Sequence, residues 1–122
     1  MAEADIVIAT TGVRGLIDPA TVRPGQVILA LTNPDPEIEP QVATAAGAAF
    51  AADGKSINNV LGFPGLFRGA LDARARRFTD EMLLAAAEAI ADAAAEDELV
   101  PDALDPAVHE AVAAAVRSSV AD

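Results

Sequence analysis

Two short, uninterrupted apolar runs stand out in the first half of the chain: residues 5–10, Asp-Ile-Val-Ile-Ala-Thr, and residues 26–31, Gln-Val-Ile-Leu-Ala-Leu. Continuous runs rich in β-branched side chains suit strands buried on both faces of a parallel sheet better than the alternation of a half-exposed strand. Thr11-Gly12 ends the first run. Asn33-Pro34-Asp35-Pro36 must break the second, because each proline removes a backbone donor and restricts the residue before it. Between them, Asp18-Pro19 pairs an N-cap with a proline at the first helical position, and Pro24-Gly25 stops that element early, predicting a short helix. Glu39-Pro40 starts a second short helix, Gly47 offers a left-handed C-cap, and residues 48–52 predict a third strand. The order βαβαβ over residues 3–54 predicts an α/β fold with a partial, Rossmann-like parallel sheet of about three strands.

From residue 55 to residue 122 the pattern is mainly helical. Phe63 and Phe67, four apart, are expected in the core of a helix that Pro64-Gly65 starts or kinks. Thr79 is an N-cap with Asp80 and Glu81 in the first turn, where carboxylates meet the positive end of the helix dipole. Leu83, Ala87, Ile90 and Ala94 share one face of the following helix and are expected to be its buried side. Asp105-Pro106 restarts a last helix, in which Val108, Val112, Val116 and Val120 form a stripe that predicts core. With no convincing repeat or linker, residues 1–122 are read as a single unit.

Composition narrows the picture. The chain has 122 residues and is 52% hydrophobic, but it contains only four Phe and no Trp or Tyr. Its core must therefore be built from small and aliphatic side chains, which favours closely packed helices. Nineteen acidic against eight basic residues give a net charge of -11, which opposes binding to nucleic acid or to an anionic membrane. The absence of cysteine excludes disulfides and thiolate chemistry. No secretory pattern opens the chain and no apolar run approaches the ~20 residues that span a bilayer, so a cytoplasmic location is expected.

Candidate chemistry gathers where the two apolar runs end. Open parallel sheets bind ligands beyond the carboxyl ends of their strands, which is where Thr10, Thr11 and Asn33 fall. Thr10 and Thr11 either hydrogen-bond a nucleotide or close a turn, and by themselves they favour the turn. Asn33 follows a strand and precedes Pro34, which lets its amide project into a crevice; an Asx-type turn is the rival. The Asn58-Asn59 pair favours the ligand role, since uncharged amides offer both donor and acceptor to a carboxylate, a hydroxyl or a carboxamide. Arg68 reads as an ion-paired surface group and His109 as a surface histidine. Asp35, Glu37 and Glu39 alternate with Pro36 and Ile38 and read as solvated carboxylates rather than metal ligands.

Residues 31–38, Leu-Thr-Asn-Pro-Asp-Pro-Glu-Ile, and 58–72, Asn-Asn-Val-Leu-Gly-Phe-Pro-Gly-Leu-Phe-Arg-Gly-Ala-Leu-Asp, resemble the late part of the dinucleotide-binding domain of malic enzymes. The similarity runs from residue 4 to residue 90 and is strongest between Leu31 and Asp72. It implies oxidative decarboxylation of malate to pyruvate and CO2 with NAD or NADP in the full-length protein. Asn33, Asn58 and Asn59 would contact substrate, and Thr10, Thr11, Asn33 and Asn58 the cofactor. One departure is a short loop: residues 53–57 stand where many members carry a longer segment with Gly-Arg-Ser-Asp.

The resemblance also implies equipment that this chain lacks. Neither Gly12-Val13-Arg14-Gly15 nor Gly62-Phe63-Pro64-Gly65 has the Gly-x-Gly-x-x-Gly spacing that seats a pyrophosphate. The family's acid/base pair is a tyrosine and a lysine. There is no tyrosine here, and Lys55, the only lysine, falls in the wrong part of the family order. The ligands for the family's divalent metal, Mg or Mn, also belong upstream in that order. The expectation is therefore the C-terminal part of a malic-enzyme NAD(P)-binding domain, inactive alone, with the N-terminal part of the same enzyme as its partner and a homo-oligomer as the assembly. The alternatives are a non-catalytic α/β interaction module and part of another NAD(P)-dependent dehydrogenase.

Overall fold

Three parallel strands form a sheet in the order β1-β2-β3, with β1 at Ile6–Ala9, β2 at Val27–Ala30 and β3 at Phe50–Asp53. The register sets Ile6 beside Val27 and Val27 beside Phe50, and at the other end Ala9 beside Ala30 and Ala30 beside Asp53. The computed structural model describes Met1 and residues 3–120. The third strand begins two residues later than its apolar run suggests, because Gly47, at φ +113°, and Ala48 cap the preceding helix α1, Pro40–Ala45. The Gly47 and Ala48 amides return to the carbonyls of Thr44 and Ala43, both at 3.0 Å, and so delay the strand. The element after Asp18 is a single 3-10 turn, Pro19–Thr21, capped by the Asp18 carboxylate on the Ala20 amide.

The first compact unit comprises residues 1–58. Its core joins Ala9, Ile28 and Ala30 on one face of the sheet to Ile17, Val22, Ile38, Ala43 and Ala48. The other face differs from the expectation of a doubly buried strand: Ile6 is 60% and Ile8 64% exposed, beside half-buried Val27 and Leu29. An apolar run shows that both faces of a strand are hydrophobic; it does not show that both are covered. At the opposite end of the strands Gln26 is buried, accepting from the Arg23 amide and donating to the Met1 and Ala4 carbonyls.

The second unit runs from Asn59 onward. After a 3-10 turn at Asn59–Leu61 it contains α2, Phe63–Asp72, α3, Asp80–Ala93, and α4, Pro106–Ser119. Pro64 lies in the first turn of α2, and Thr79 and Asp105 cap α3 and α4 with side-chain acceptors, as the sequence predicts. Val108, Val112 and Val116 are buried.

Two faces are corrected. Phe63 and Phe67 are 59% and 45% exposed, stacked with Phe78 in ring contacts of 5.0 Å each, because α2 turns its glycines inward instead. A Cβ on Gly65 would stand 2.6 Å from Val112 Cβ, and one on Gly69 2.5 Å from the Ala113 carbonyl, so only glycine permits this approach of α2 to α4. On α3 the buried side is Met82 and Ala86, with Ala89 and Ile90 packed against that core, and Leu83 and Ala87 face solvent. Among the described residues, no helix is long and apolar enough to cross a membrane.

Candidate functional site

The carboxyl ends of β1 and β2 are tied together by one carboxylate. Glu37 is 0% exposed, which corrects its reading as a solvated loop residue, while Glu39 beside it is exposed. Its Oε1 accepts from the Thr11 amide at 2.7 Å, the Thr11 hydroxyl at 2.9 Å and the Thr32 hydroxyl at 2.5 Å, and its Oε2 accepts from the Thr32 amide at 3.4 Å. Thr32 Oγ1 in turn accepts from the Gly12 amide at 3.0 Å. Backbone bonds from Gly15 to Pro36 and from Ile17 to Glu37 hold the same two loops side by side.

This arrangement satisfies a buried charge by hydrogen bonds rather than by a cation. Burial alone pushes the Glu37 carboxyl up, but the hydroxyls and amides of Thr32 and Thr11 outweigh it and hold the pKa down at about 2. The anion is therefore the resident form. The only hint of this in the sequence was indirect: two strand exits each end in threonine, and an acidic residue lies between Pro36 and Ile38, both of which are buried.

The asparagines converge on a single carbonyl. Asn33 Nδ2 donates to the Gly54 carbonyl at 3.0 Å, and Asn58 Nδ2 approaches the same oxygen at 3.4 Å. A carbonyl can accept only from the NH2 end of an amide, so this contact fixes which way the Asn33 side chain faces. Its Oδ1 is left as an acceptor on an exposed residue. Gly54 itself is buried and admits no side chain: a Cβ there would lie 2.4 Å from the Leu31 carbonyl and 2.8 Å from Asn33 Nδ2. The Asn33-Pro34 peptide is cis.

The short turn after β3 is ordered by Asp53, whose Oδ1 accepts from the amides of Lys55 and Ser56 and from the Ser56 hydroxyl. Burial raises the Asp53 pKa, but these bonds and the charge of Lys55 more than offset it and lower it from the ordinary value.

The other sequence candidates are placed as follows. Thr10 is exposed at the end of β1. Thr11 closes a turn, accepting from the Val13 amide at 3.2 Å, and its own amide and hydroxyl are committed to Glu37. Asn59 opens the second unit as the first residue of its 3-10 turn. Arg68 pairs with Asp72 at 2.9 Å, one helical turn away. His109 is half-buried rather than a free surface group, with Nε2 2.8 Å from the Ala103 carbonyl and Nδ1 buried without a partner. A groove of about 560 Å³ on the second unit is lined by Arg68, Arg117 and His109 together with Asp72 and Glu110, so its two arginines are matched by two carboxylates. Among the described residues no group of three or more His, Asp or Glu is arranged to hold a metal ion, and the donor set does not fit one.

A parallel α/β sheet with polar side chains gathered beyond its carboxyl ends is a Rossmann-like architecture, one that dinucleotide-binding enzymes use. The particular family follows from comparison. A family profile described as malic enzyme, NAD binding domain, matches residues 51–121, more than half of the chain, and the chain belongs to that family. It is 66% identical over 117 residues to NAD-dependent malic enzyme 1 of Bacillus subtilis, covering 96% of this chain and 27% of that protein. It is 54% identical over 82 residues to the NADP-dependent malic enzyme of Rhizobium meliloti, covering 62% and 10%. The crystal structure of malic enzyme from Pyrococcus horikoshii superposes with a TM-score of 0.84 at 43% identity, covering 96% of this chain and 30% of that one. The chain thus spans a third or less of the length of each of these proteins.

Proposed function

We propose that this chain supplies one wall of the malate and nicotinamide crevice of a malic enzyme, which converts malate to pyruvate and CO2 with NAD or NADP. The observation that carries the proposal is the convergence of Asn33 and Asn58 on the Gly54 carbonyl, beyond the ends of the strands. When bound, the cofactor accepts the hydride. The chain's own contribution is orientation: Asn33 presents an amide oxygen to a hydroxyl or carboxamide donor, and Asn58, on the same Gly54 carbonyl, presents a second amide. Thr11, with its donors turned to Glu37, shapes the cofactor side of the crevice, and Thr10 stands open beside it.

The acid/base and metal functions of the reaction fall to residues on another polypeptide segment, since this chain has no tyrosine and one lysine, held in the Asp53 turn. The open sheet face supports the same reading. Parallel sheets are stable when both faces are covered, and Ile6 and Ile8 stand exposed on an edge strand. The remainder of a malic enzyme would pair with the β1 edge and pack over the open face, and a homo-oligomer would be built on that whole.

Calorimetric titration with NAD, NADP and malate tests this on the chain alone and mixed with a polypeptide carrying the rest of a malic enzyme. The expected result is turnover only in the mixture. A well-folded, stable mixture with no turnover would refute the proposal.

A further inference from the structure

We infer that Glu37 is a positioning residue for this crevice: its buried carboxylate sets the exit loops of β1 and β2 in one register and thereby fixes where Asn33 projects. The inference rests on the reading of Asn33 given above and extends it to a residue that touches no ligand. Thr32, which donates its amide and hydroxyl to the Glu37 carboxylate, is the residue immediately before Asn33. Thr11, which gives Glu37 both of its donors, is the second residue after β1. Four donor contacts therefore converge on one side chain from two segments 21 residues apart in the chain, counted from Thr11 to Thr32.

The other end of the Asn33 side chain is fixed independently by the Gly54 carbonyl. With its backbone held through Thr32 and its amide held at Gly54, Asn33 has both ends specified. Removing the first constraint leaves the side chain on a loop whose neighbour has lost its main anchor. A carboxylate suits this work better than a neutral amide. A glutamine in its place would turn an NH2 toward the Thr32 amide or toward the Thr11 and Thr32 donors, setting donor against donor on one side or the other. Misplacement of a substrate-orienting group by about 1 Å costs on the order of a hundredfold in rate.

The test has a spectroscopic arm and a kinetic arm. In the chain itself, Glu37→Gln and Thr32→Val are each expected to move the Asn33 side-chain NH2 resonances in the folded protein and to speed their exchange, whereas Thr32→Ser, which keeps the hydroxyl, leaves them in place. If Glu37 served stability alone, Thr32→Val would lower the melting temperature without moving those resonances, and the proposal would fall. Thr32→Val also guards against the case in which Glu37→Gln does not fold.

In a hybrid where this chain replaces the matching segment of the Bacillus subtilis enzyme, Thr32→Val is expected to lower kcat/KM for malate about a hundredfold, chiefly through kcat, with Thr32→Ser restoring it. An active hybrid that is indifferent to Thr32→Val overturns the role of Glu37 and leaves the crevice assignment intact. An inactive but folded hybrid overturns the crevice assignment, while the resonance arm still decides whether Glu37 places Asn33.

Discussion

The two units of this chain solve opposite packing problems. In residues 1–58 the decisive contacts are polar: Glu37 binds Thr11 and Thr32, Asp53 binds the Lys55-Ser56 turn, and Gly54 receives two asparagines, all beyond the carboxyl ends of the strands. From Asn59 onward the decisive contacts are apolar and close, with Gly65 and Gly69 laid against Val112 and Val116. The first arrangement orients side chains at an exposed rim, and the second leaves no room for a side chain at Gly65 or Gly69. The lesson is that the segment with the more recognisable motif, residues 58–72, contributes mainly a packing surface along its helix. The less conspicuous loop at 31–38 holds the built polar site.

This contrast is breakable, beginning with its largest expected effects. Gly69→Ala drives a methyl to 2.5 Å from the Ala113 carbonyl and should destabilise the second unit by about 3 kcal/mol, the upper end of overpacking costs, in denaturant unfolding followed by amide exchange. Exchange protection in β1–β3 should change far less; equal loss in both units would mean they unfold as one.

Acid should have the reverse preference. The folded-state pKa of Glu37 is depressed to about 2 from 4.5, so its stabilisation is present above pH 4.5 and is lost as pH falls toward 2. The loss is on the order of 3 kcal/mol, and Asp53, shifted in the same direction, adds to it. NMR-detected unfolding between about pH 5 and about pH 2 should therefore show the first unit failing before the second; simultaneous failure would remove the electrostatic half of the comparison.

Smaller changes sharpen the boundary. Val112→Ala removes two buried methyl groups from the α4 stripe and should cost about 2 kcal/mol in thermal or urea unfolding, confined to the helical unit. Thr79→Ala deletes the α3 cap and should cost about 1 kcal/mol by the same measurement. Arg68→Ala, which breaks an exposed pair with Asp72, should leave the melting temperature unchanged.

How far the fold was legible depended on whether a pattern had one interpretation. Val108, Val112 and Val116 recur every four residues and are buried as predicted, while Val120, just past the end of α4, is half-buried. On α3 alanine occupies both candidate faces, so the choice between Leu83-Ala87 and Met82-Ala86 is a rotation by one residue that periodicity barely resolves. On α2 the phenylalanines suggested the core, but glycines two positions further along lie on the opposite side of the helix and allow a closer approach than any aromatic ring. Hydrophobicity favoured Phe63 and Phe67; backbone proximity favoured Gly65 and Gly69.

By itself the sequence determined the element types, the strand exits, the helix caps and the family, because each rests on local signals: apolar runs, proline and glycine punctuation, and the paired asparagines. Only the tertiary structure decided which faces are covered and that Glu37 is buried. Both depend on donors and surfaces brought from distant positions. A carboxylate in a proline-rich loop is solvated or buried according to whether hydroxyls and amides arrive to replace its water, and here Thr11 and Thr32 do so.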